Sequence, residues 1–195
     1  MTNSFHGLAE LLLAGPQYRR SGTIRLRVTP AGFATVAAPD VQAEADALVV
    51  DGRRIPYAGQ TFAQLAAAAG VDAGAPEGLY KDGSGAGVDD PVVTTGAGTV
   101  LGALAVGDAA LRRFAPDETP VLWPEHFDVG ISLDEVNYGV STGDTAIPEP
   151  YAYVGPWTPR EGDFWNMSFG AARPLSALGD AAAVAAFFAE GRAAA

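Results

Sequence analysis

Hydrophobic positions change period several times along the chain. Leu8, Leu11 and Leu12 fall at i, i+3 and i+4, the spacing of one helix face. Ser4 precedes them as a capping residue and Gly15-Pro16 follows as a stop, which predicts a first helix through about Ala14. The period then drops to two. Ile24, Leu26 and Val28 alternate with Arg25 and Arg27, so a strand with one buried face is expected, turning at Thr29-Pro30-Ala31-Gly32 and returning through Phe33 to Val36. Leu48-Val49-Val50, Asp51-Gly52 and Arg53-Arg54-Ile55 form the clearest hairpin, because Asp-Gly accepts the positive φ values of a type I′ turn. The N-terminal third therefore reads as an antiparallel meander.

Thr61 to Ala69 follows as an Ala-rich helix with Thr61 in front and Gly70 behind, and residues 70–98 read as a long surface loop. Thr99 to Phe114 returns to helical spacing, with Leu101, Leu104, Ala105, Leu111 and Phe114 expected inside. A last helix runs from Asp180 to about Glu190, with Val184, Phe187 and Phe188 as its stripe and Gly191 as its stop. Between these helices, residues 119–170 look β again. Val121, Trp123, Glu125, Phe127, Val129 and Ile131 share one parity of an expected strand, and Val136 to Ser141, Tyr151 to Gly155 and Phe164 to Phe169 supply further short runs. The predicted fold is α+β: a bent antiparallel sheet or open β-barrel with three to four flanking helices, in a single domain over residues 1–195.

Composition narrows the chemistry. The chain has 195 residues, no cysteine, two histidines and a net charge of −11. Thiol nucleophiles, disulfides and Cys-ligated metals are excluded, and a three-histidine metal site is impossible within one chain. The acidic balance argues against nucleic-acid binding, since phosphates would be repelled. No apolar run is long enough to span a membrane, Glu10 interrupts the run from Leu8 to Leu13, and no basic n-region precedes it, so a cytoplasmic address is expected. Lys81, in Tyr80-Lys81-Asp82-Gly83, reads as a solvated loop residue and not a Schiff-base amine.

Aromatic and acidic residues concentrate in one region. No Lys or Arg lies between Arg113 and Arg160, while Asp117, Glu118, Glu125, Asp128, Asp134, Glu135, Asp144 and Glu149 do, and Trp123, Trp157 and Trp165 lie in 114–170. Aromatic walls with a few fixed acceptors suit a polar or sugar-like small molecule; a core with a solvated acidic rim is the plainer alternative. Within Trp123-Pro124-Glu125-His126-Phe127-Asp128, an extended backbone would put His126 and Asp128 on one face and Glu125 on the other. His126 is then a candidate general base, Asp128 its orienter and Glu125 a candidate acid, with structural hydrogen bonding as the alternative for each. Trp123, Asn137, Tyr138, Tyr151, Tyr153, Trp157, Trp165 and Asn166 are the candidate ligand contacts.

Other motifs fall short. Residues 82–90 superficially resemble a calcium loop, with Asp82, Ser84 and Gly87 in place, but Ala86 and Val93 stand where ligands are required. Glu125, His126, Asp128 and His6 are the only nitrogen-plus-oxygen set for zinc, and parity separates them. No Gly-x-Ser-x-Gly elbow occurs. No metal or organic cofactor is assigned.

The run 123–128, the blocks Asn137-Tyr138-Gly139-Val140-Ser141-x-Gly143-Asp144 and Glu149-Pro150-Tyr151-x-Tyr153-Val154-Gly155-Pro156-Trp157, and Phe164-Trp165-Asn166 together resemble a group of small proteins of high-GC actinobacteria. The resemblance implies a self-standing family and brings no activity with it. Three functions therefore stand as expectations: a binding protein for a polar or sugar-like small molecule, a cofactor-free hydrolase or isomerase using His126, and an acidic module that recruits a basic partner. The sequence assigns no oligomeric state.

Overall fold

Leu8 to Ala14 have only one polar side chain among them, Glu10, and the structure buries the whole stretch. The computed structural model describes residues 4–81 and 83–195. Two compact units emerge: one holds the residues up to Leu101 together with Leu122–Phe127, the other Gly102–Val121 together with Asp128–Ala195.

In the first unit, helical backbone runs from α1 (Phe5–Gly7) through a π-helical stretch (Leu8–Ala14) into α2 (Gly15–Ser21). The expected stop at Gly15-Pro16 does not occur. The backbone N–H of Gly15 reaches back five residues to the carbonyl of Glu10, and Pro16 lies in the first turn of α2, where its missing N–H costs little. Gly15 is there for clearance: a Cβ on it would stand 1.6 Å from the carbonyl oxygen of Gly74. Ser4 does not cap the helix through its side chain; its hydroxyl accepts from the Val93 N–H at 2.8 Å.

This helix packs on β1 (Leu26–Thr29), β2 (Gly32–Thr35) and β3 (Val41–Glu44), which continue into β4 (Ala47–Val50) and β5 (Arg53–Pro56) as the expected antiparallel meander. Asp51 and Gly52 turn the last hairpin with φ of 49° and 76°. Phe5 sets its ring edge-on to Phe33 and Tyr57, at centroid distances of 6.2 and 6.5 Å. The α3 helix (Phe62–Ala69) has a full capping box between Thr61 and Gln64 and ends at left-handed Gly70, as the sequence predicts. Gln17 is a fully buried polar residue with every bond made. Its amide nitrogen donates to the carbonyls of Thr23 and Arg25 at 3.0 and 2.9 Å, and its oxygen accepts from the N–H groups of Val36 and Ala37 at 2.7 and 2.8 Å. This one side chain ties the helix end to both strands of the first hairpin.

The α4 helix (Ala97–Phe114) enters the second unit at Gly102, and Leu104, Gly107, Ala110 and Leu111 face inward there. Ala105, expected inside, is exposed, because the contact face is set by Gly107, whose added Cβ would come within 2.6 Å of Val129. The sheet of this unit runs β7 (Asp128–Leu133), β8 (Val136–Ser141), β9 (Tyr151–Pro156) and β10 (Ala171–Pro174), all antiparallel. After α5 (Leu175–Leu178), Asp180 caps α6 (Ala181–Ala194) by accepting from Ala182 and Ala183. Gly191 lies inside α6 and does not end it; a Cβ there would meet Val154 at 2.8 Å, so this glycine also serves close packing.

The expected long strand through 121–131 is broken. The β6 strand (Val121–Trp123), paired to β1 through Leu122 and Leu26, stops at a turn over residues 124–127, where Pro124 can offer no ladder N–H and Phe127 takes φ of 51°. Residues 164–169 form a turn and not a strand: Met167 and Gly170 exchange backbone hydrogen bonds, and Asn166 pairs its amide with the backbone of Ala172. The fold is α+β with open antiparallel ladders, and among the described residues neither ladder closes into a barrel. No described helix is long and apolar enough to cross a membrane.

The Gly15 contact generates the first prediction. Gly15→Ala should destabilise the protein by about 3 kcal/mol, at the upper end for overpacking, because backbone stands where the methyl must go. Gly22→Ala, at a left-handed position with open space around it, should cost only about 1–2 kcal/mol. Urea unfolding of the two variants measures both.

Candidate functional site

Glu10 is 3% exposed, on a helix whose neighbouring side chains are all apolar. A buried carboxylate costs several kcal/mol unless donors reach it. One oxygen, Oε2, accepts from the Ser84 N–H at 3.0 Å and from the Ser84 hydroxyl in a shorter bond. Gly83 makes that approach possible, since a Cβ there would stand 2.4 Å from Glu10 Oε1. The other oxygen, Oε1, has no hydrogen-bond donor but lies 3.5 Å from Nε2 of His6, one helical turn earlier. Burial pushes the Glu10 carboxyl up, but the His6 imidazole and the Ser84 donors outweigh it and hold the group below its ordinary value.

His6 is fixed on two sides. Its Nε2 lies 3.1 Å from the backbone oxygen of Glu125, and its ring stacks on Phe127 at 5.4 Å with planes 10° apart. Phe127, in its left-handed conformation, is braced edge-on by Phe33 at 5.5 Å. The Glu125 carboxylate accepts from the Lys81 N–H at 3.1 Å. Next to Lys81, the hydroxyl of Tyr80 is buried without a hydrogen-bond partner. Burial first, then the charges of Glu10 and Glu125, raise its pKa, so the phenol stays protonated. One helix, one loop and one turn thus bring the Glu10 carboxylate, the His6 imidazole and the Glu125 backbone oxygen together, with the Glu125 carboxylate turned to Lys81.

The sequence-predicted residues divide around this centre. Glu125 belongs to it. His126, the expected base, stands exposed on the 124–127 turn, where the backbone leaves the extended form that the pairing with Asp128 requires. Trp123 lies beside Arg25, whose guanidinium is 5.8 Å from its ring.

In the second unit, Asp128 is buried and accepts from the phenol of Tyr153, which crosses the paired glycines Gly130 and Gly139; a Cβ on Gly139 would lie 2.5 Å from that oxygen. Tyr151 donates to Asp144 at 2.6 Å. Burial, followed by the charge of Asp128, pushes Tyr153 well up. For Tyr151, burial is followed by the bond to Asp144, again upward. Asn137 accepts from Ser132 at 2.7 Å and from the Trp157 indole at 3.2 Å, although Trp157 is itself 63% exposed. Tyr138 packs in the core against Phe114 and Phe188 at 4.7 and 5.9 Å. Trp165 stands edge-on to Phe164, and Asn166 braces β10, so Trp157 and Trp165 have separate partners.

An open cleft of about 360 Å³ lies elsewhere in the first unit, lined by Pro16, Arg19, Arg20, Pro39, Val71 and Asp72 among others. Arg19 spends its guanidinium on Asp72 and the carbonyl of Gly74. Of the calcium-like loop, Asp82 lies outside the described residues, and Ser84 is committed to Glu10. Among the described residues, no group of three or more acidic or histidine side chains gathers as a cation site.

Sequence reasoning misses His6, Glu10, Tyr80 and Ser84 as a unit. The available signal is a charged residue inside an apolar helical run with a histidine four positions before it. Comparison of the chain with protein-family models, with curated proteins and with solved structures finds no match.

Because the Glu10 carboxyl is held below its unfolded value, its contribution to stability is complete above the unfolded carboxylate range and is lost as pH falls through the lowered folded value. Glu10→Gln should therefore be less stable than the native protein by about 1–3 kcal/mol at pH 7, and the gap should narrow on acidification. Urea unfolding at pH 7 and pH 3 measures it; a gap that widens at pH 3 contradicts the assignment.

Proposed function

We propose that this protein binds a small polar molecule, one presenting hydroxyl or amine donors, at the Glu10 centre. The observation that carries the reading is a buried carboxylate oxygen with no hydrogen-bond donor, near a buried phenol that also lacks a partner. Unsatisfied polar atoms in a protein interior cost about 1–3 kcal/mol each, and a ligand able to complete both recovers that cost. The negative charge of Glu10 and Glu125 favours a neutral or cationic ligand over an anion. Partial exposure of His6, whose side chain is 25% accessible, marks the approach to the site. This reading draws on residues 6, 10, 80 and 125, of which only Glu125 is a candidate site residue from the sequence, and it makes no use of the three tryptophans.

A thermal-shift and saturation-transfer NMR screen of polyols, sugars and small amines tests this. A true ligand at about 100 times its Kd adds about 2.7 kcal/mol of stability. Glu10→Gln should abolish that gain, whereas hits that stabilise both proteins equally, or no hit at all, would remove the proposal.

A further inference from the structure

We infer that His6 is the proton acceptor of this site, working through Nδ1 with Glu10 as its positioning counter-charge, and that the molecule bound there is activated at a hydroxyl group. The inference rests on the ligand reading only for the identity of that molecule. The tautomer follows from contacts already described. Nε2 faces the backbone oxygen of Glu125 at 3.1 Å, and a carbonyl oxygen only accepts, so Nε2 carries the hydrogen. In the neutral ring the lone pair is then on Nδ1, and among the described residues no hydrogen bond or ion pair engages that nitrogen. The Glu10 carboxylate lies 3.5 Å from Nε2, off the line that Nε2–H takes toward Glu125, and acts there by charge.

This is the logic of a carboxylate–imidazole pair with the two ring nitrogens exchanged: one nitrogen is oriented, the other is left to react. Stacking on Phe127 fixes the ring plane, and the Ser84 bonds fix the carboxylate. The polar groups beside the imidazole are the Glu10 carboxylate and the Glu125 backbone oxygen, with the Glu125 carboxylate turned to Lys81. In the step itself a ligand O–H bond breaks and its proton joins the Nδ1 lone pair. The electron pair stays on oxygen, the imidazolium lies beside the Glu10 carboxylate, and no bond other than O–H and N–H is made or broken. The reverse transfer restores the O–H bond, so no oxidant or cofactor enters the balance. His126, exposed on its turn, serves as the internal control.

Two ligand-free measurements test it. Long-range proton–nitrogen NMR should show His6 as the Nε2–H tautomer. Diethyl pyrocarbonate, followed by mass spectrometry in the His126→Ala background, should acylate His6. In Glu10→Gln that acylation should slow severalfold, because the carboxylate no longer offsets the positive charge the ring gains as it attacks. An Nδ1–H tautomer, a His6 that stays unmodified while His126 reacts in the native protein, or a rate indifferent to Glu10→Gln would overturn the inference. Because neither measurement uses a ligand, failure of the ligand screen and failure here are separate results.

Discussion

A carboxylate inside an apolar helix is the constraint around which the first unit is arranged. Removing such a charge from water costs several kcal/mol, and the chain offsets it from the preceding helical turn and from a loop 74 positions away. His6 supplies a polar partner from the preceding turn, Ser84 supplies two donors, and Gly83 supplies the absence of a side chain that lets Ser84 come near. Remove any one and the others lose their reason for their positions. The π-helical turn belongs to the same arrangement, because Gly15 binds the backbone oxygen of Glu10 while Ser84 binds its side chain.

The second unit treats its polar residues differently. Asp128 with Tyr153, and Asp144 with Tyr151, satisfy one another within the sheet and its loops, and the glycine pair at 130 and 139 makes room for the first phenol. Such pairs stiffen a ladder and fix its register in the way that aromatic side chains lying over cross-strand glycines commonly do. Their raised tyrosine pKa values follow from burial beside carboxylates and suit a structural role.

Local rules were legible where one segment decides its own conformation. Thr61 with Gln64, Asp51-Gly52 and Asp180 each signal a cap or a turn through atoms within a few residues, and each forms as expected. Gly15 and Gly191 mislead for one shared reason. A glycine chosen for clearance looks the same in sequence as a glycine chosen to end a helix, and only the neighbour it touches, Gly74 or Val154, tells them apart. The site misleads through distance: His6 meets Glu125 across 119 positions and Glu10 meets Ser84 across 74, separations that no periodicity reports. His126 attracts attention because its sequence neighbours are suggestive, whereas His6 has its decisive neighbours only after folding. The misplaced charge at position 10 was visible all along.

The loop over Glu10 is pinned at its base, where the N–H of Gly74 binds the carbonyl of Leu11 at 3.0 Å, and again at its return, where Ala63 binds Val88 at 2.7 Å. Between those pins, residues 81 and 84 donate to the carboxylates of Glu125 and Glu10. Any movement of Lys81 or Ser84 must therefore give up a hydrogen bond to a carboxylate, so the loop is closed by its own amides and not by side-chain packing alone.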